Sequence, residues 1–305
     1  MSVQNSPGGF GPAELENADA LIALALAEDL GRRGDLTAEA TIPADATGSA
    51  RFVARQPGIL AGLPVVALIA GHFGLEQGFV AERADGDPIA PGTLLARVSG
   101  PMRAILSMER TALNFLQRLS GVASQTHRFV SAVEGTRAAI LDTRKTTPGW
   151  RLLEKYAVRC GGGVNHRIGL FDAVLIKDNH LAWLASSGDP IGRSIASARR
   201  LAPPGTVVEV EVDTLGQLDR ALSCRPDIVL LDNFAIADLA EAVRRRDASA
   251  PEVLLEASGG IDLRSVAEVA RTGVDRISVG ALTHSAPSLD IGLDEEIPSD
   301  SGRPN

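Results

Sequence analysis

Apolar and polar positions change rhythm several times along the chain. From Asp19 to Leu30 the apolar residues recur at helical spacing, and Gly31 marks a stop. Between Gly48 and Pro101 the rhythm becomes short alternating runs (SARFVARQ, GILAGL, FVAERADGD, TLLARVSG) punctuated by Gly and Pro, which predicts small β-structure. Leu106 to Val133 returns to a long helical pattern. Its stripe is Leu113, Phe115, Leu116, Leu119 and Val122, and Arg110, Asn114 and Gln117 lie along the other side. Six apolar runs follow, AAILDT, DAVLIKD, VVEVEVD, DIVLLDN, EVLLEAS and RISVGAL, starting near residues 138, 172, 207, 227, 252 and 276. Helical patterns at 215–222, 236–246 and 263–273 separate the later ones.

Strand alternating with helix predicts a parallel sheet, closed as a β/α barrel or open as a doubly wound layer. Neither GxGxxG nor GxxxxGK[ST] occurs, which weakens the nucleotide-sheet option and favours the barrel. DGDPIAPG at 85–92 has the look of a lipoyl-carrier turn, but the first lysine of the chain is Lys145, so no acceptor lysine is present there. Residues 1–12 and about 295–305, rich in Gly, Pro and Ser, are expected to be loose tails.

Composition narrows the class. The 305 residues are 45% hydrophobic, 22% charged and 4% aromatic, which fits a globular protein with a sizeable core and excludes general disorder. A formal charge of −8 disfavours a nucleic-acid partner. Cys160 and Cys224 form no paired-cysteine motif, so neither a disulfide framework nor a Cys-pair zinc site is expected, and both are read as small core residues. No stretch reads as a signal peptide or membrane span, and the expected location is the cytoplasm.

The cations are unevenly distributed. Only three of the 30 are lysine (Lys145, Lys155, Lys177), and residues 103–180 hold 12 Lys+Arg against 6 Asp+Glu. A basic middle in an acidic chain suggests a small, highly anionic ligand, although a solvated basic face gives the same count. The RRR at 244–246 ends a predicted helix, where cations offset the dipole, and receives no function.

Barrel enzymes place their sites at the carboxyl ends of the strands. Those ends read Arg144-Lys145, Lys177-Asp178-Asn179, Glu211 with Asp213, Asp232-Asn233, Ser258-Gly259-Gly260 and Gly280. Alternation in VVEVEVD puts Glu209, Glu211 and Asp213 on one face. Glu209 reads as a structural ion-pair partner for an arginine, and Glu211, nearer the rim, as functional. Two strand-end carboxylates, Glu211 and Asp232, can hold Mg²⁺ in the water-sharing manner typical of an ion that also sits on phosphates. Glycine-rich ends at 258–260 and 279–281 offer backbone N–H groups to a phosphate, with His284 as a possible cap. GGGVNHRIGL supplies His166 and Arg167, unless it is only a hairpin with a packed histidine.

ERTALNFLQRLSGVAS (109–124), DTRKTTPGWRLLEKYAVRCGGGVNHRIGLFDAVLIKDNH (142–180), EVEVDTLGQL, VLLDNF, LEASGGI and DRISVGALTHSAPSLDIGLD resemble the quinolinate phosphoribosyltransferase family. The resemblance runs from about residue 28 to 293, and DTRKTTPG with GGGVNHR is a specific pair. It implies an incomplete β/α barrel with a smaller α/β N-terminal domain, in a homodimer whose partner completes each site. The implied division is a tail at 1–12, an N-terminal domain with linking helix at 13–125, a barrel at 126–282 and a returning segment with tail at 283–305. By the family's pattern Arg144, His166, Arg167 and Lys177 grip quinolinate, Arg110 reaches in from the partner, and Thr143 and Lys145 share the anion-binding segment. Glu211 and Asp232 hold Mg²⁺ and phosphoribosyl pyrophosphate, while Ser258, Gly259, Gly260, Val279, Gly280, Ala281 and His284 take the 5′-phosphate. Lys145, Lys177, Glu211 and Asp232 are the catalytic candidates. The implied reaction is decarboxylating phosphoribosyl transfer in NAD biosynthesis. Two alternatives remain at this point: a Schiff-base barrel enzyme using Lys177, and a non-catalytic anion-binding barrel.

Overall fold

A proline at the first turn and a glycine just past the end frame α1 (Pro12–Leu30). Glu14 accepts the Gly11 N–H at 3.1 Å, so the helix begins well before its apolar spacing does. A computed structural model describes residues 9–296 and divides into two units. One unit gathers the residues up to His127, Thr147–Gly162 and those from Ala286; the other holds Arg128–Thr146 and Gly163–Ser285. Residues 1–8 and 297–305, most of the expected tails, lie outside the described residues. The remainder of those tails is ordered, because Phe10 meets the Tyr156 ring edge-on at 5.1 Å and Glu296 ends a paired strand.

After α1 come α2 (Leu36–Thr41), capped by Asp35, then β1 (Thr47–Ala54), β2 (Gly58–Ile59), α3 (Leu63–His72), β3 (Val80–Ala81), β4 (Pro88–Ile89), β5 (Leu94–Pro101) and α4 (Met102–Ala132). The stretch expected to be all β therefore contains a helix. LPVVALIAGH is apolar throughout and carries no period, and its N-terminal cap is remote: Asp85 accepts the Gly62 and Leu63 N–H groups at 2.6 and 3.1 Å. Burial pushes the Asp85 carboxyl above its usual range despite these bonds and one from Tyr156.

The chain continues through β6 (Ala139–Leu141), α5 (Arg151–Cys160), β7 (Val174–Ile176), α6 (Asp178–Trp183), α7 (Pro190–Leu201), β8 (Val208–Val212), α8 (Leu215–Ser223) and β9 (Ile228–Asp232). It ends with α9 (Ile236–Ser249), β10 (Leu254–Ser258), α10 (Val266–Arg271), β11 (Arg276–Ser278), α11 (Ala281–His284) and β12 (Ile291–Glu296). In the first unit an antiparallel sheet runs β12-β1-β5-β3, with β2 and β4 pairing separately. Phe52, Val98, Phe115 and Leu119 are in its core, and Trp150 stacks on Phe115 at 4.6 Å. The two thiols are partly exposed rather than fully packed.

The second unit is built on a six-stranded parallel sheet ordered β6-β11-β10-β9-β8-β7. Strands follow one another round it in chain order, with one open seam between β6 and β7: the incomplete barrel that the family resemblance implies. Val208, Val210 and Val212 on one face of β8 are fully buried, so the carboxylates between them lie on the other. No helix among the described residues is long and apolar enough to cross a membrane.

Candidate active site

Each strand of the parallel sheet delivers its chemistry at the carboxyl end. After β6 come Thr143, Arg144 and Lys145. The Lys145 N–H donates to Thr143 Oγ1 at 3.0 Å, and Thr283 Oγ1 donates to the Lys145 carbonyl at 2.7 Å, tying this segment to the turn after β11. The glycine run does not form a hairpin. Val164 bridges Leu141 in parallel, and Asp142 accepts the His166 N–H at 2.9 Å and the Asn165 amide at 2.6 Å, so His166 and Arg167 are laid beside the end of β6.

Lys177 follows β7, and its Nζ lies 3.4 Å from Glu211 Oε2 near the end of β8. Asp232 closes β9. Asn233 then turns left-handed at φ 55°, giving its N–H to the Ser258 carbonyl at 3.0 Å and its amide to Asp232 Oδ2 at 2.8 Å. Beyond β10, Gly259 has φ 96°, and a Cβ there would sit 2.2 Å from Asn233 Oδ1; only glycine lets these two strand ends meet. After β11, a Cβ on Gly280 would lie 3.0 Å from His284 Nε2 and 3.1 Å from Lys145 Cδ, so backbone, imidazole and ammonium stem crowd one corner. His284 Nδ1 lies 2.6 Å from Ser285 Oγ.

These ends enclose one cavity of about 800 Å³. Every predicted site residue of the second unit lines it; Arg110 belongs to the first unit, exposed on α4. Its charges are unbalanced. The Arg144 Nε is buried with no hydrogen-bond partner among the described residues, and burial together with the Arg144 charge holds Arg167 below the usual guanidinium range. Two cations that disfavour each other's charge and one orphaned donor form a place for an anion. At the centre, burial pushes the Glu211 carboxyl up, against the pull of Lys177 and aided by the charge of Asp232.

Glu256 also lines the cavity, and the sequence reading passed over it. It shares the inward face of LLEAS with Ser258, so the parity that singled out Glu211 applies to it equally. Glu209 is buried as expected, but its direct partner is a histidine: His166 Nε2 lies 3.2 Å from Glu209 Oε2 and 3.3 Å from Glu256 Oε1. The arginine goes to Glu256, whose Oε2 receives Arg276 Nε at 2.7 Å. Burial raises Glu209 above its usual range. Burial alone would raise Glu256 too, but His166 and Arg276 outweigh it and bring that carboxyl down.

An open parallel barrel with cations after its first two strands, carboxylates at the next two and glycine turns after the last two defines a β/α-barrel protein built to hold polyanions. Comparison with known proteins narrows the class. The models named quinolinate phosphoribosyl transferase, N-terminal domain and C-terminal domain, match residues 35–120 and 122–294. The carboxylating nicotinate-nucleotide pyrophosphorylase of Mycobacterium leprae is 48% identical over 283 residues, which is 92% of this chain and 98% of that protein. A probable enzyme of the same name from Bacillus subtilis is 41% identical, covering 90% and 92%. The solved nicotinate-nucleotide pyrophosphorylase of Francisella tularensis superposes with a TM-score of 0.84 at 39% identity, covering 92% of this chain and 96% of that one. The chain belongs to the quinolinate phosphoribosyltransferase family. Neither the Schiff-base nor the non-catalytic alternative finds support among these relatives.

Proposed function

We propose that the protein transfers the phosphoribosyl group of phosphoribosyl pyrophosphate to quinolinate, releasing pyrophosphate and CO₂ and forming nicotinate mononucleotide. The observation that carries this reading is the Arg144–Arg167 pair, two cations with an unpartnered buried Nε in a cavity whose far strand ends are glycine turns. Arg144, Arg167, His166 and Lys177 would receive the two ring carboxylates, and Ser258 to Gly260 with Val279 to Ala281 and His284 the 5′-phosphate.

The pyridine nitrogen forms a bond to the ribosyl carbon as the bond to pyrophosphate breaks. Positive charge grows on that carbon, and Glu211 or Asp232 can oppose it. Lys145, whose stem lies against Gly280, would hold the departing anion. Loss of CO₂ leaves an electron pair on the ring carbon, which the now cationic ring nitrogen stabilises until a proton replaces the carboxylate. No covalent link to the protein is needed. The residues present fit a divalent cation, because Glu211 and Asp232 are two oxygen donors whose like charges burden each other. Mg²⁺, when bound there, supplies charge neutralisation for the leaving pyrophosphate.

We further infer a homodimer in which Arg110 serves the neighbouring site. Its support is that Arg110 is exposed on α4, and that Leu170, Phe171 and Trp183 are exposed apolar side chains of the kind a partner covers. The two unpaired thiols suit a reducing compartment such as the cytoplasm.

The test is product analysis with phosphoribosyl pyrophosphate, Mg²⁺ and a panel of pyridine carboxylates. Quinolinate should be converted, and nicotinate, with one carboxylate, should react at least about 100-fold more slowly in kcat/KM, as expected when charged groups of the site are left unpaired. Comparable values for the two would remove the dicarboxylate reading.

A further inference from the structure

The acceptor reading gives Glu209 and Glu256 no task, yet they are 1% and 0% exposed in the interior of the parallel sheet. Buried carboxylates cost several kcal/mol each unless fully paired, so apolar residues would fill this space at less cost. Their pairing is directional. Arg276 Nε binds one oxygen of Glu256 at 2.7 Å, His166 Nε2 lies 3.2 and 3.3 Å from Glu209 and Glu256, and the Nδ1 of the same ring accepts the Arg167 N–H at 2.8 Å. A line of contacts therefore runs from Arg276 through Glu256 to the imidazole, which Glu256 Oε1 meets at ion-pair distance without a hydrogen bond, and from Nδ1 to the backbone of Arg167. Arg167 is the cation whose charged form burial and the Arg144 charge disfavour.

The same three side chains also offer ligand atoms within 4.8 Å of one another, as a metal site would. The proton on the ring argues against a metal there. A ring whose Nδ1 accepts the Arg167 N–H carries its proton on Nε2, the atom that faces both carboxylates, so Nε2 has no lone pair to give a metal.

We propose that Glu256, assisted by Glu209, is a positioning residue for the acceptor: through His166 it fixes the backbone from which Arg167 reaches the anionic ligand. This rests on the reading of the cavity as a quinolinate site. Glu209 is not part of the cavity lining, and Glu256, which is, carries the same sign of charge as quinolinate, so the effect of both on that substrate is expected to pass through the imidazole and Arg167.

The experiment compares the full-length protein with its Glu256→Gln variant, which keeps the shape and removes the charge. Expected is a rise of about tenfold or more in the KM for quinolinate and in its calorimetric Kd measured without the second substrate, with the KM for phosphoribosyl pyrophosphate changed by less than about twofold. Glu209→Gln, expected to act in the same direction, replaces it if Glu256→Gln does not fold by circular dichroism. An unchanged quinolinate Kd, or an equal rise in both KM values, overturns the proposal. So does one zinc ion per chain whose chelation reproduces the variant's phenotype. Wild-type protein that neither binds nor converts quinolinate overturns the functional reading itself, whereas wild-type binding with an indifferent variant overturns only this inference.

Discussion

His166 meets opposing demands at its two ring nitrogens. Desolvation favours the neutral ring, as does the Arg167 N–H aimed at Nδ1, but the carboxylates of Glu209 and Glu256 prevail and push its pKa up to about 9 from an ordinary 6.5. A group raised on folding contributes stability that is complete below its unfolded pKa and disappears as pH rises through its folded one. The ligand-free protein should therefore lose thermal stability between about pH 6.5 and 9. Relative to His166→Asn, its advantage should narrow over that window; a gap in Tm that stays constant from pH 6 to 10 would assign the ring no titrating role. At this scale the sequence is legible where alternation works. VVEVEVD and LLEAS each announce which side chains share a face, and DTRK and NHR announce cations. What alternation cannot show is that His166, delivered by a different crossover, sits between Glu209 and Glu256.

Among the elements, α9 illustrates how a local rule can hide a long-range one. The arginines at its end look like three cations set against the helix dipole, and Arg244 and Arg245 do pair locally with Glu241 on the surface. Arg246 is 1% exposed and acts differently. Its Nη1 donates to the Val253 carbonyl at 2.9 Å and to Asp275 Oδ2 at 2.6 Å, and the same carboxylate oxygen accepts the Leu255 N–H at 2.9 Å, so the guanidinium bolts α9 to the entries of β10 and β11. Arg246→Ala leaves the buried Asp275 only Arg137 and the Leu255 N–H and removes a fully packed side chain, and should cost more than about 2 kcal/mol in denaturant unfolding. Arg244→Ala, removing one exposed ion pair, should change stability by less than about 0.5 kcal/mol. Equal effects would deny the bolt. The six parallel strands were readable because each is a short apolar run closed by a polar residue; α3 was not, because its cap, Asp85, comes from beyond the helix.

For the molecule as a whole, the proposed dimer makes a quantitative expectation. Arg110→Ala and Lys177→Ala should each be nearly inactive alone. After subunit exchange, a mixed dimer has one site with both lesions and one with neither, so random pairing restores about one quarter of wild-type activity. No recovery, with exchange shown independently, would mean that each site is built within one chain. The barrel was foreseeable from periodicity and a returning last segment from the family resemblance, but not the full interleaving of the two units: nothing local in Thr147–Gly162 separates it from the strands on either side. The pairing of β12 with β1 makes that interleaving consequential. Ser49 faces Glu296 across 247 residues, so during synthesis β1 leaves the ribosome long before its neighbour exists. Until then β1 offers an unsatisfied edge to any passing strand. A chain stalled anywhere before Ile291 would thus carry an adhesive edge that β12 covers in the folded sheet.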